Sequence, residues 1–243
     1  MRLDHLSVKA EGEGDVRRIT LPGGHLSAPV AAELTMVADD LVEDRSVRVV
    51  VIDSIDEWCA GPAADLDTSV RPDPASALSR LRVPVIAVVT GSCRSVGLEV
   101  LLATDMRVAD PTASFSLPDL AEGRLPSWGG TQRLSRAVGA SLATAMLLLG
   151  TELGGEEAAG AGLVHAVEAD VEAVVATWLE ELAGVGPLAA ELAKEAVHRG
   201  AELPLRDGLR LEGDLNHLLQ STDDRAEGLA AFFAKRPPDF AGR

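Results

Sequence analysis

Short β-branched runs without polar alternation punctuate the first two thirds of the chain, and helical spacing of apolar residues takes over the remainder. Val47 to Asp53 and Val83 to Val89 are apolar at nearly every position, as in strands covered on both faces. Met106–Ala109, Ala113–Leu117 and Gly162–Glu168 predict further short strands. Between these runs, Ser27–Val42, Gly129–Val138 and Ala140–Leu149 carry apolar residues at helical spacing, and another helix starts at about Gly97. Trp58–Val70, rich in Gly, Pro, Ala and Asp, reads as a loop. Strands alternating with helices predict an α/β core.

From about Val171 the pattern is almost wholly helical: Val171–Ala183, Pro187–His198, Leu205–Leu219 and Thr222–Ala234, separated by Gly, Pro or Asp breaks. Thr222-Asp-Asp-Arg-Ala-Glu carries an N-capping signature. Apolar faces on such a tail need cover, and another subunit is the expected partner. The expected division is therefore an α/β core over residues 1–185 and a helical oligomerisation segment over 186–243.

Charge narrows the partners. With 22 Lys and Arg against 38 Asp and Glu, the formal net charge is −16, which argues against nucleic-acid binding. An anionic small molecule would need a local basic patch against that field. No apolar stretch approaches the roughly 20 residues of a membrane helix. The N-terminus lacks the apolar core of a signal peptide, so no membrane and a cytoplasmic location are expected. Cys59 and Cys93 are expected as free thiols, and no metal-ligand spacing occurs.

The chemistry concentrates in Thr90-Gly-Ser-Cys-Arg-Ser-Val-Gly-Leu-Glu99, a strand end, a glycine-bearing turn and a helix carrying an acid in its first turn. Helix N-termini hold unpaired N–H groups that suit an oxygen gaining negative charge. Glu99 is isolated in an apolar helix, where a carboxylate needs either an ion pair, with Arg94 or Arg107, or a functional role with a raised pKa. Asp119, following Pro118, reads by itself as a cap for the turn at Leu120 onward. Arg94 reads as a surface residue, an ion-pair partner or a recognition group for a carboxylate or phosphate, and Glu122 as a solvated loop acid. The histidines have no partners at triad or ligand spacing.

An ordered series of pieces then resembles the crotonase (enoyl-CoA hydratase/isomerase) superfamily over nearly the full length. The series is Trp58-Cys-Ala-Gly, Pro84-Val-Ile-Ala-Val-Val-Thr-Gly, Gly97-Leu-Glu-Val-Leu-Leu-Ala-Thr-Asp, Phe115-Ser-Leu-Pro-Asp, Pro126-Ser-Trp-Gly-Gly-Thr-Gln-Arg-Leu, Ala161-Gly-Leu-Val-His and Thr222-Asp-Asp-Arg-Ala-Glu-Gly. The resemblance implies a spiral of strand-strand-helix turns with C-terminal helices that build a homotrimer or hexamer. It also implies an acyl-CoA substrate and no metal or redox cofactor. Carried over residue by residue, the N–H groups of Ala60 and Val96 would hold the thioester oxygen. Glu99 and Asp119 would be the two acids of a hydratase. Ala64, Asp65 and Leu66 would lie along CoA, and Lys235 near the CoA phosphates of a neighbouring subunit.

Four departures stand out against the family pattern. Ser95-Val96-Gly97 replaces three glycines, Pro62 and Ala63 are inserted after Gly61, an aspartate stands at 119 for a glutamate, and Arg94 replaces an apolar residue. Pro62 offers no N–H. The resemblance implies hydration of a 2-enoyl-CoA or the reverse. The alternatives are a double-bond isomerase or lyase working with one acid, and a non-catalytic accessory homologue.

Overall fold

The structure, a computed structural model, describes residues 3–12, 15–71 and 73–243. It opens with a hairpin that the hydrophobic pattern does not announce: β1 (Ser7–Glu11) runs antiparallel to β2 (Val16–Leu21), Ser7 facing Thr20 and Glu11 facing Val16. In β2 the paired arginines at 17 and 18 interrupt the alternation, although Ile19 is fully buried. There follow β3 (His25–Leu26), α1 (Ala28–Glu43), β4 (Val49–Ser54), β5 (Gly61–Pro62), α2 (Pro74–Leu78), β6 (Val85–Val89), β7 (Ser92–Arg94) and α3 (Val96–Leu101). The chain continues through β8 (Met106–Ala109), β9 (Ser114–Ser116), a 3-10 turn over Pro118–Glu122, α4 (Gly130–Val138), α5 (Ala140–Leu149), β10 (Leu153–Gly154), α6 (Gly155–Gly160) and β11 (Ala166–Val167). The last elements are α7 (Val171–Ala183), α8 (Pro187–Gly200), α9 (Leu205–Gln220) and α10 (Asp223–Ala234).

The main sheet has the order β1-β2-β4-β6-β8-β11, and every pairing after the first is parallel. Its centre explains the unbroken apolar runs: Val49–Ile52 and all of β6 are buried, because parallel strands joined by crossovers are covered on both faces. A second sheet, β10-β9-β7, sets Ser92 beside Ser114 and Arg94 beside Ser116. The short parallel pair β3–β5 sets His25 beside Gly61, and an isolated bridge joins Cys59 to Cys93. These small pairings bring the two chemistry-bearing segments, 58–62 and 92–99, side by side.

Two of the boundaries that differ from the expectation have a clear local cause. The strand over Gly162–Glu168 contracts to β11, because Gly162 (φ 80°) turns the chain out of α6 and the Leu163 N–H donates back to Ala158 O at 2.8 Å. The run from Val83 becomes a strand only at Val85, whose N–H is held by Asp105 Oδ2 at 2.8 Å.

The chain divides into two compact units, one of residues up to Leu81 with Val85–Val175, the other of Arg82–Pro84 with Ala176–Arg243. In the second unit Thr222 caps α10, as its sequence announces, by accepting the Arg225 N–H at 3.1 Å. The buried Asp224 carboxylate clasps the chain end by accepting the N–H groups of Ala241 at 2.7 Å and Gly242 at 3.0 Å. Val197, Leu205, Leu209, Phe232 and Phe233 of this unit are exposed, the two phenylalanines by 76% and 80%. No single helix among the described residues is long and apolar enough to cross a membrane.

Candidate active site

Close packing around Cys59 explains the glycine at the second position of the acid-bearing helix. A Cβ on Gly97 would lie 2.3 Å from Cys59 Cβ, so only glycine fits there. The Trp58 indole N–H then donates to Gly97 O at 3.0 Å, and α3 is pressed against the 58–59 segment. Val96, first residue of α3, has its side chain buried, and its N–H has no acceptor among the described residues.

Glu99, one turn along α3, is 1% exposed. Neither Arg94 nor Arg107 pairs with it. Its Oε1 accepts the backbone N–H of Trp128 at 2.7 Å and of Gly130 at 2.8 Å. Packing also favours glycine at 130, since a Cβ there would meet Glu99 Cγ and Oε1 at a tight 3.0 Å. Burial pushes the Glu99 carboxyl up to about 7; the two peptide donors pull the other way, and the charge of Asp119 adds to the rise. A buried carboxyl with two peptide donors can be held in place without a salt bridge, and near neutrality it can both take and give a proton.

Asp119 is also buried, in the 3-10 turn after Pro118. Its Oδ1 accepts the Ser95 hydroxyl and, at 3.4 Å, Arg124 Nη2. Its Oδ2 is buried without a hydrogen-bond partner among the described residues. Arg124 bridges onward to the exposed Glu122 at 2.6 Å, so Glu122 is a solvated partner to that arginine.

Ala60 is a correction. Its N–H donates to Gly24 O at 2.8 Å, drawn in by the β3–β5 pairing, and is not offered to a ligand in this arrangement. The same pairing continues past Gly61: Pro62 stands beside Leu26 in β5, and the Ala63 N–H donates to Leu26 O at 2.9 Å.

A cleft of about 550 Å³ opens beside this centre, lined by Ala31, Leu66, Val70, Pro74 and Trp128 with Asp65 at its edge. Asp65 accepts the Ala28 N–H at 3.3 Å, Leu66 is half-buried, and Ala64 is exposed and does not line the cleft. Trp128 links cleft and acid: its peptide N–H holds Glu99, while its indole N–H donates to Thr68 O at 3.0 Å. The sequence marks Ser95 as a departure and Trp128 as part of the Pro126-Ser-Trp-Gly-Gly piece, but assigns neither a role in the site, because the partner of each lies far along the chain. Lys235 lies in the second unit, exposed, at the left-handed C-cap of α10. Arg94 has no ion-pair partner among the described residues, and its Nε is buried without a hydrogen bond. No cluster of three or more potential metal ligands occurs among the described residues.

A largely parallel α/β core thus carries a helix-borne carboxyl raised toward neutrality, a second buried acid and an apolar cleft, an arrangement suited to acid–base chemistry. Over residues 22–243 the sequence matches the enoyl-CoA hydratase/isomerase family, and the chain belongs to that family, the crotonase superfamily. It is a crotonase-fold enzyme of the enoyl-CoA hydratase type. It is similar to the 2,3-dehydroadipyl-CoA hydratase of Escherichia coli K12, 39% identical over 213 residues, covering 82% of this chain and 83% of that one. The mitochondrial methylglutaconyl-CoA hydratase of Mus musculus is 35% identical over 89% of this chain and 75% of its own length. The crystal structure of an enoyl-CoA hydratase from Bacillus anthracis superposes with a TM-score of 0.89 at 31% identity, over 99% of this chain and 100% of that one.

Proposed function

We propose that the enzyme adds water across the C2–C3 double bond of a 2-enoyl-CoA, or removes it from the 3-hydroxyacyl-CoA. The observation that carries this reading is the buried Glu99 carboxyl, peptide-anchored and poised at about 7, within electrostatic range of Asp119. The thioester oxygen accepts the Val96 N–H, and the acyl or pantetheine portion occupies the cleft walled by Leu66, Val70 and Trp128. Water lies between Asp119 Oδ2 and Glu99. Its oxygen bonds to C3 while one of its protons passes to the Asp119 carboxylate. The π electrons move toward the thioester oxygen, where the Val96 donor stabilises the enolate. The Glu99 carboxyl then protonates C2, and proton exchange between the acids resets the site. These steps draw only on acids and peptide donors of the chain, so no cofactor beyond the CoA of the substrate is proposed.

The exposed apolar residues of α8, α9 and α10 support a homotrimer, or a hexamer of two trimers, with Lys235 placed near the CoA phosphates of a neighbouring subunit. The test of function is a panel of 2-enoyl-CoA thioesters. We expect 3-hydroxyacyl-CoA products, abolished in E99Q. Positional isomers without any hydroxyacyl product would replace the hydratase reading by that of a one-acid isomerase.

A further inference from the structure

Ser95 occupies a conformation that ordinarily excludes it. Its backbone stands at φ 52°, ψ −125°, a region open to glycine and costly to residues with a Cβ. A serine before a helix is usually justified by capping, yet its side chain makes no capping hydrogen bond to α3. It is 2% exposed, so solubility does not explain it either. The hydroxyl has one partner, the Oδ1 atom of Asp119.

Asp119 needs such a support. Its turn places it at the end of a short side chain, and its other anchor, Arg124, is longer at 3.4 Å and 37% exposed. A buried hydroxyl donating to one carboxylate oxygen fixes the rotation of the carboxyl group and leaves Oδ2, buried and without a hydrogen-bond partner, as the atom free to receive a proton. Ser95 is also the residue immediately before Val96, and its own N–H is tied to Ser116 O at 3.1 Å. The turn that presents the Val96 N–H and the group that orients the second acid are therefore adjacent residues.

We propose that Ser95 is a positioning residue: its hydroxyl holds the Asp119 carboxyl in the rotation that lets Oδ2 act on water, and the strained backbone at 95 is the cost of that contact. The inference rests on the hydratase reading of the site. Three variants test it: S95A removes the hydroxyl at unchanged backbone strain, S95G removes both, and S95G/D119E supplies a longer acid in the space the hydroxymethyl group vacates.

Wild type must first be shown to hydrate a 2-enoyl-CoA. If it does not, the reading of the site fails and this inference with it. Given turnover, the expected result is a kcat loss of about tenfold to 10²-fold in both single variants, the scale of a catalytic group misplaced by about 1 Å. KM should stay within about twofold, since the lost interaction acts on the transition state. The melting temperature of S95G should equal or exceed that of wild type, and S95G/D119E should recover most of the lost kcat. Single variants that keep wild-type kcat overturn the inference alone. So does a loss that follows a fall in melting temperature or that S95G/D119E does not recover, either of which marks a merely structural serine.

Discussion

Glu99 and Asp119 are both buried acids in one site, but their supports differ in kind. Glu99 rests on two peptide N–H groups, those of Trp128 and Gly130, whereas Asp119 rests on two side chains, Ser95 and Arg124. Peptide donors survive any side-chain substitution that leaves the backbone in place, so the Glu99 anchorage is robust to sequence change and sensitive to shape. Side-chain donors can be gained or lost singly, so the Asp119 anchorage is open to adjustment. The two supports meet at Ser95, whose hydroxyl serves Asp119 while its carbonyl accepts the Glu99 peptide N–H at 3.1 Å.

Three substitutions break or sharpen that contrast. The largest effect belongs to E99Q, which should lower kcat about 10²–10⁴-fold with little change in KM, measured on the best thioester of the panel. The same variant should be more stable than wild type at neutral and higher pH. Folded Glu99 keeps its proton up to about pH 7 while the unfolded chain releases it near 4.5. Between those values the folded state binds more protons, so stability falls as pH rises through the window. The full penalty, on the order of 3 kcal/mol, is present above about pH 7. Thermal melts from about pH 5 to about pH 8 should show wild type losing stability relative to E99Q.

G130A comes next, because a methyl placed 3.0 Å from both Glu99 Cγ and Oε1 must shift either the acid or the start of α4. A kcat loss of roughly tenfold or more is expected from such a displacement. The smallest effect belongs to R124A. Its bond to Asp119 is 3.4 Å and its side chain partly exposed, so a kcat change below about threefold is expected for a screened, long contact. A large R124A effect beside a small S95A effect would reverse the order of the two anchors of Asp119.

Local pattern determined a good part of this protein. Val85–Val89 and Val49–Ile52 are legible as central strands because burial on both faces removes alternation. Thr222 is legible as a cap because capping involves residues within one turn. Glu99 is legible as exceptional because a lone carboxyl in an apolar helix must be compensated somewhere. What compensates it was decided by tertiary structure: the donors lie 29 and 31 residues away, on a turn whose own sequence says nothing about an acid. The β1–β2 hairpin was hidden for a related reason, since β1 has no buried residue and the arginines at 17 and 18 break the alternation of β2, so that pairing with distant segments and not periodicity defines the two strands. Ala60 shows the limit most clearly. Whether an N–H is free depends on what lies opposite it, and the carbonyl that takes it, on Gly24, arrives through a strand pairing of two residues that no periodicity could reveal. Sequence specifies which groups a chain carries and how its local elements form; which of those groups remain unpaired and face one another is settled only when distant segments pack together.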